Sequence, residues 1–369
     1  MTDAHLRSVV GGIRALGQAG IPVLAVAPSR SGAGLWSRWT SRRALAPDSA
    51  DDERGFASAI TALAAKHGPL VVHPGQERSI DAVLGAWDEL GSKVVVAHPG
   101  AGPTNRLRDK RQLEALATGV GLSAPATIAC ATVAELVSVR LPTPCVVKPL
   151  VPSAALRTAR IVETEARLHA LLGSLPGDQP LLVQPRMAGD LHSVAVVVDR
   201  DGRLVERFQQ VAVRTWPAAA GVSALARSVP PVEVLAKRVG RMLASVGYWG
   251  MAQAQFLGHG AELSLIDVNP RFFGSLPLAL ASGVNLPAAA HAVATGARTA
   301  APSAYRAGVS YRWLESELTA ARHGKWETLR PPPRPRVGAM WAWNDPVPGT
   351  ILAADALERR FRQRLPHGG

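Results

Sequence analysis

Residues 250–275 read GMAQAQFLGHGAELSLIDVNPRFFGS. Stretches 251–257 and 262–268 are short, apolar-rich and alternating, and the Gly-His-Gly between them supplies the positive φ angles of a tight connection. An antiparallel hairpin is predicted. Period-2 alternation puts Gln253 and Gln255 on one face of the first strand, and Asp267 and Asn269 on one face of the second.

An amide oxygen from Gln255, a carboxylate from Asp267 and an amide oxygen from Asn269 make a hard oxygen set. Mg²⁺ accepts such a set while keeping waters and phosphate oxygens as its other ligands. Pro270 stops the strand at that edge. Arg271 then presents a planar guanidinium able to hold a phosphoryl group or carboxylate by two parallel hydrogen bonds. For Gln255 and Asp267 to share a face, the hairpin loop must hold an odd number of residues, because a one-residue slip turns one strand's ligands away. Taken alone, Asp-Val-Asn-Pro reads more readily as a strand end followed by an Asx-Pro turn, so the case for a metal site has to come from elsewhere in the chain.

At 369 residues, 47% of them apolar, the chain has room for two or three domains with proper cores. Cys130 and Cys145 lie in apolar surroundings without metal-ligand spacing, so buried thiols in a reducing compartment are expected. Neither a secretory pattern nor a long apolar run is present, so the expected location is the cytoplasm, with no membrane span. The net charge of +13 comes mostly from scattered arginines, densest over residues 330–364. Without interleaved aromatics or a motif this argues against a nucleic-acid partner and suits anionic small molecules.

Residues 5–19 carry apolar side chains at helical spacing, and residues 21–27 form a buried strand. Helices near 56–67 and 79–90 alternate with strands 70–73 and 93–97, which predicts a parallel α/β layer. Such a layer normally begins with a strand, so either the first strand is absent or the start is late. Residues 105–125, opening with Arg106, Arg108, Asp109 and Lys110, resemble a cap and helix start, for which a solvated first turn is the plain alternative.

Residues 145–149, CVVKP, are a buried strand ending in Lys148, one of only six lysines beside thirty-five arginines. That lysine either snorkels outward or acts as a point charge on phosphates. Strand 181–185 breaks at Gln184-Pro185 into an irregular segment through Met187 that turns at Gly189, leaving backbone groups a flat base can use. Strands 193–198 and 204–213 follow, and a helix over 231–246 leads into the hairpin. After two short alanine-rich helical runs ending at Gly296, residues 330–336 (RPPPRPR) read as an extended linker. Trp313, Trp326, Trp341 and Trp343 predict that the last seventy residues pack against something.

Together, Asp109-Lys110, VVKP at 146–149, the 184–189 segment, Gln255 and Asp267-Val-Asn-Pro-Arg271 resemble, in order and interval, the ATP-grasp superfamily. The likeness covers roughly residues 1–296. It points to the stand-alone carboxylate–amine ligases and to the synthetase domains of carbamoyl phosphate synthetase, which also place a glutamine at the first metal ligand.

The resemblance implies an α/β protein: an N-terminal domain (1–104), two α+β grasp lobes (105–298) and a C-terminal extension (299–369). It further implies Lys110 and Lys148 on the phosphates of ATP, with Gln184, Pro185 and Met187 at the adenine. Gln255, Asp267 and Asn269 would hold Mg²⁺, or Mn²⁺ in its place, and Arg271 would stabilise the transferred phosphoryl group. The implied reaction is ATP-dependent activation of a small carboxylate to an acyl phosphate and its capture by an amine or thiol. A catalytically weak, nucleotide-binding regulatory subunit is the alternative, and a homo-oligomer is compatible with either. Two residues depart from the pattern. The loop after VVKP (151–160) contains no glycine, so either Ser153, Arg157 and Thr158 take over its phosphate contact or the grip is poor, and Asp267 stands where the family usually has glutamate.

Overall fold

The computed structural model describes residues 1–137, 139–150, 153–217 and 221–362. At the N-terminus α1 (Arg7–Gln18) leads to β1 (Val23–Ala27), β2 (Thr40–Leu45), α2 (Glu53–His67), β3 (Leu70–Val72), α3 (Glu77–Gly85) and β4 (Val94–Val96). β1 pairs in parallel with β2, and β3 in parallel with β4. The segment before α1 lies between these two pairs. Val26 N–H donates to Met1 O at 3.0 Å, Ala4 N–H to Val26 O at 2.8 Å and Thr2 N–H to His73 O at 3.2 Å. These residues fill the strand position that the sequence left vacant, while β2 was not anticipated because its TSRRAL carries little apolar signal.

Two short helices follow, α4 (Ala101–Arg108) and α5 (Leu113–Thr118). Arg106 and Arg108 therefore end one helix rather than open the next, and Asp109-Lys110 forms the turn between them. The next unit comprises β5 (Ile128–Cys130), α6 (Val133–Val137), β6 (Cys145–Pro149), β7 (Arg160–Val162), α7 (Glu165–Gly173) and β8 (Leu181–Pro185). Its antiparallel sheet has the order β5-β8-β6-β7. Cys145, Val147, Leu181 and Val183 point from the two central strands into one core with α7, and both cysteines are free and buried there.

The larger sheet is built from β9 (Asp190–Val198), β10 (Leu204–Trp216), β11 (Val222–Ser228), β12 (Gly250–His259), β13 (Glu262–Asn269), β14 (Ser310–Arg312) and β15 (Arg336–Gly338). The strand order is β13-β12-β9-β10-β11-β14-β15. The helices accompanying it are α8 (Glu233–Ser245), α9 (Leu276–Ser282), α10 (Leu286–Thr295), α11 (Leu314–Arg322) and α12 (Val347–Arg362).

One face of this sheet packs on α8 through Val194, Val196, Ala254 and Phe256. The other meets α1, α9 and α10 through Ala195, Val197, Phe208 and Tyr311. Residues 310–312 and 336–338 thus continue the sheet, and the proline-rich stretch connects to its last strand. Of the four C-terminal tryptophans, Trp313 packs against the main core, but the outer ones contribute little. Trp343 is 88% exposed and Trp326 67%, whereas Val309, Tyr311, Ala339 and Met340 are buried.

Candidate active site

The β12–β13 hairpin turns at Gly260-Ala261, a loop of two residues rather than the odd number expected for Gln255 and Asp267 to share a face. A β-bulge corrects the parity. Register runs His259↔Glu262 to Phe256↔Leu265, then shifts by one residue at Ile266 to give Gln255↔Asp267 and Gln253↔Asn269. The bulge also explains why Leu265 and Val268, three residues apart, both face the core beneath α8.

The bulge frees backbone groups, and neighbouring parts of the chain use them. Leu265 N–H donates to Ser123 O at 2.7 Å, and Lys148 Nζ donates to Ile266 O at 3.2 Å. The second contact spans the two sheets. Lys148 stands at the end of β6 opposite Leu182, sharing the coreless face of the small sheet with Gln184. Burial, opposed by the Asp267 carboxylate and reinforced by the Lys110 ammonium, lowers the Lys148 pKa to about 8.

Gln255, Asp267 and Asn269 are brought together, with Asn269 Nδ2 3.4 Å from Asp267 Oδ2. Among the described residues no group of three or more His, Cys, Asp or Glu side chains could hold a metal ion. One carboxylate with two amides suits a hard cation that arrives already coordinated by phosphate oxygens, so this donor set fits Mg²⁺ carried by a nucleotide. Gln184 is buried, and its Nε2 donates to Thr127 Oγ1 at 2.8 Å. Beyond Pro185 the chain is irregular through Met187 to Gly189, which has φ +120°. A Cβ at Gly189 would lie 2.5 Å from the Gly258 backbone, so this linking segment can lie directly on the hairpin only because residue 189 is glycine.

Two expected groups are otherwise engaged. Arg271 Nε donates to Glu77 Oε1 at 3.2 Å, tying it to α3 of the N-terminal layer, and Arg108 shares Glu77 while also pairing with Asp81. Burial raises the Glu77 pKa, but Arg271 and Arg108 outweigh it and the net direction is down. His98 Nε2 lies 3.0 Å from Pro270 O, a second link between that layer and the hairpin. Asp109 accepts from Arg111 Nε at 2.9 Å, which, with Gln112 and the Arg111 backbone against a smaller effect of burial, holds its carboxyl at about 2.

The loop after β6 is closed on itself over its described part. Leu156 N–H donates to Ser153 Oγ, Ser153 N–H donates to Leu156 O, and Leu156 is buried in the small core, leaving Arg157 and Thr158 exposed. Val151 and Pro152 lie outside the described residues. Glu77, Arg108, His98 and Thr127 were not found from sequence, since each acquires its place through partners distant in the chain.

The two sheets facing across Lys148 and Asp267 form an ATP-grasp fold. Residues 177–317 match the family described as ATP-grasp in the biosynthetic pathway with Ter operon. Similar solved structures include a biotin carboxylase–β,γ-ATP complex from Campylobacter jejuni, with TM-score 0.63 and 14% identity over 82% of this chain and 72% of that one. The biotin carboxylase domain dimer of 2-oxoglutarate carboxylase from Hydrogenobacter thermophilus, in complex with MgADP and bicarbonate, has TM-score 0.63 and 14% identity over 84% and 72%. N5-carboxyaminoimidazole synthetase from Staphylococcus aureus has TM-score 0.62 and 12% identity over 82% and 77%. Among the described residues no single helix is long and apolar enough to cross a membrane.

Proposed function

We propose that the protein is an ATP-dependent ligase that phosphorylates a small-molecule carboxylate to an acyl phosphate and joins it to an amine, releasing ADP and phosphate. In this reading a carboxylate oxygen attacks the γ-phosphorus and the bond to ADP breaks. The amine nitrogen then attacks the acyl carbon, loses its proton and expels phosphate. Lys148 and Lys110 hold the phosphates by charge, Gln184 with the backbone at Pro185 and Met187 holds the adenine, and Arg271 steadies the phosphoryl oxygens. Gln255, Asp267 and Asn269 would hold Mg²⁺, whose charge offsets that of the phosphates when it is bound. The domain plan adopted is 1–104, 105–298 and 299–369, and the two buried free thiols favour a cytoplasmic setting.

The observation that carries this reading is Lys148, a buried ammonium held on the bulge next to Asp267 without a carboxylate ion pair of its own among the described residues. A structural lysine gains nothing from such a place, whereas a phosphate-binding one does. The test is ATP-dependent phosphate release with pools of small carboxylates and amines. Wild-type rates in Lys148→Ala or Asp267→Ala would refute the site.

A second reading, a nucleotide-binding subunit with weak or no turnover, is favoured by the self-closed Ser153–Leu156 turn and by Arg271 being held on Glu77. Binding of MgATP with no ADP formed from any pool would select it.

A further inference from the structure

Residues 1–4 join the two strand pairs of the N-terminal layer, whose outer strands are therefore β2 and β4. The β4 side meets the hairpin through His98 and Pro270, so β2 forms the edge away from the candidate active site. Three exposed indoles lie along that edge. Trp36 is 40% exposed, Trp341 43% and Trp343 88%. Tryptophan is seldom left in water, and three on one surface mark a place of contact.

Their neighbours are arginines. Trp36 Nε1 donates to Arg30 O at 2.8 Å, and the Arg43 guanidinium, from β2, lies 4.4 Å from the Trp36 ring centroid. Two residues after Trp36, the Arg38 guanidinium lies 5.2 Å from the Trp39 centroid, and its Nη1 donates to Asn344 O at 3.2 Å. Asn344 directly follows Trp343, whose ring is perpendicular to that of Trp341 at a centroid separation of 5.6 Å. Arg42 reaches His67 rather than an acid. Among the described residues none of these three guanidiniums forms a carboxylate ion pair. Arginines and aromatics that are scattered in the sequence are thus interleaved by the fold.

Such a surface complements a polyanion with flat faces. Guanidinium forks hold phosphates, and an indole as open as Trp343 can stack on an unpaired base. An anionic membrane is the rival partner, and two features disfavour it. The outer edge of β2 pairs with no strand, and hydrocarbon cannot satisfy its backbone polar groups. The guanidiniums also lie against the Trp36 and Trp39 rings, so inserting those rings would draw charge in with them. A duplex, for its part, hides the base faces that an indole would use.

We propose that this edge docks single-stranded nucleic acid, with Arg38, Arg42 and Arg43 on its phosphates and Trp36 and Trp343 stacking on its bases. The proposal goes beyond the ligase reading and uses none of the residues assigned to ATP.

Fluorescence anisotropy of the full chain with labelled oligothymidylate and oligouridylate of about 12 nucleotides tests it, with excess MgATP present to occupy the nucleotide site. The competitors are an abasic strand of equal length, a duplex, and vesicles of phosphatidylcholine with phosphatidylserine. At least one oligonucleotide should bind, more tightly than the abasic strand or the duplex, and the vesicles should not displace it. Trp343→Ala, at a site too exposed to disturb folding, should weaken binding about tenfold, the loss of one stacked base. Arg43→Gln should reduce the slope of log affinity against log salt by about 0.7, the loss of one phosphate contact. MgATP binding should be unchanged in both variants. No binding of either oligonucleotide, equal binding of the abasic strand, preference for the duplex or the vesicles, or unaltered affinity in Trp343→Ala overturns the proposal.

Discussion

Lys148 Nζ donates to the carbonyl of Ile266, the residue whose bulge turns Asp267 onto the face of Gln255. One irregularity in β13 therefore both orients the Asp267 carboxylate and anchors the lysine of the opposite sheet. The consequences can be measured.

Lys148 titrates near 8 when folded, below its ordinary value of 10.5, because burial disfavours the charged form. A lysine with a depressed folded pKa destabilises the fold below that value, and the penalty is relieved as pH rises from about 8 toward 10.5. Lys148→Met should therefore raise stability at pH 7, with the gain shrinking toward pH 10. Denaturant titrations across this range check the slope. Phosphate oxygens favour the ammonium, so nucleotide binding near pH 8.5 (about half a unit above the folded value) should take up a proton and weaken as pH rises. Calorimetry in two buffers of different ionisation enthalpy reads that proton directly.

Asp267→Asn keeps the size and removes the one carboxylate of the donor set. Phosphate release should drop about a hundredfold or more while the far-UV circular dichroism stays unchanged. Asp267 also supports the Lys148 charge, so the lysine's pKa should fall further in this variant. Chemical labelling of Lys148 as a function of pH would detect the change, and an unshifted profile would contradict the coupling.

The Glu77 carboxylate is held below its usual range because Arg271 and Arg108 outweigh its burial. The sign follows: this carboxylate contributes stability above the ordinary glutamate range and loses it as pH falls through its folded value. Glu77→Gln should lower the melting temperature at pH 7 and converge with wild type at acidic pH. It should also release Arg271, so that an arginine-specific reagent modifies residue 271 faster than in wild type.

Gly258 and Gly260 separate two effects in the hairpin. Gly258 has φ +153°, and an added Cβ would meet Glu262 O at 1.8 Å, whereas Gly260 has φ +57° and open space around it. Gly260→Ala should cost about 1 kcal/mol from backbone conformation alone. Gly258→Ala should cost about 3 kcal/mol or more, because strain and a backbone clash add. Equal losses in urea unfolding would mean that the turn, rather than the strand contact, sets the hairpin's stability.

Local pattern in the sequence was enough for several elements. Period-2 alternation over 251–257 and 262–268 specified two half-buried strands, helical spacing located α1, α2 and α8, and the order of short motifs pointed to the two-lobed arrangement. These depend on neighbours a few residues apart, where backbone periodicity translates directly into side-chain direction. Gln255, Asp267 and Asn269 could be placed on one face for that reason, subject to a parity condition.

What met the condition was decided only by tertiary structure. The bulge at Ile266 is stabilised by Ser123 and Lys148, respectively 142 and 118 residues from the backbone groups they satisfy, Leu265 N–H and Ile266 O. The pairing of Arg271 with Glu77 spans 194 residues, and Arg7 reaches Trp313 from the opposite end of the chain. The strands at 310–312 and 336–338 likewise belong to the sheet because β11 presents an edge to the first and the first presents one to the second, not through any strong strand signal of their own. A charged side chain or a bulged carbonyl has many acceptable local partners, and the packed fold selects one by bringing it within hydrogen-bonding distance where water is excluded.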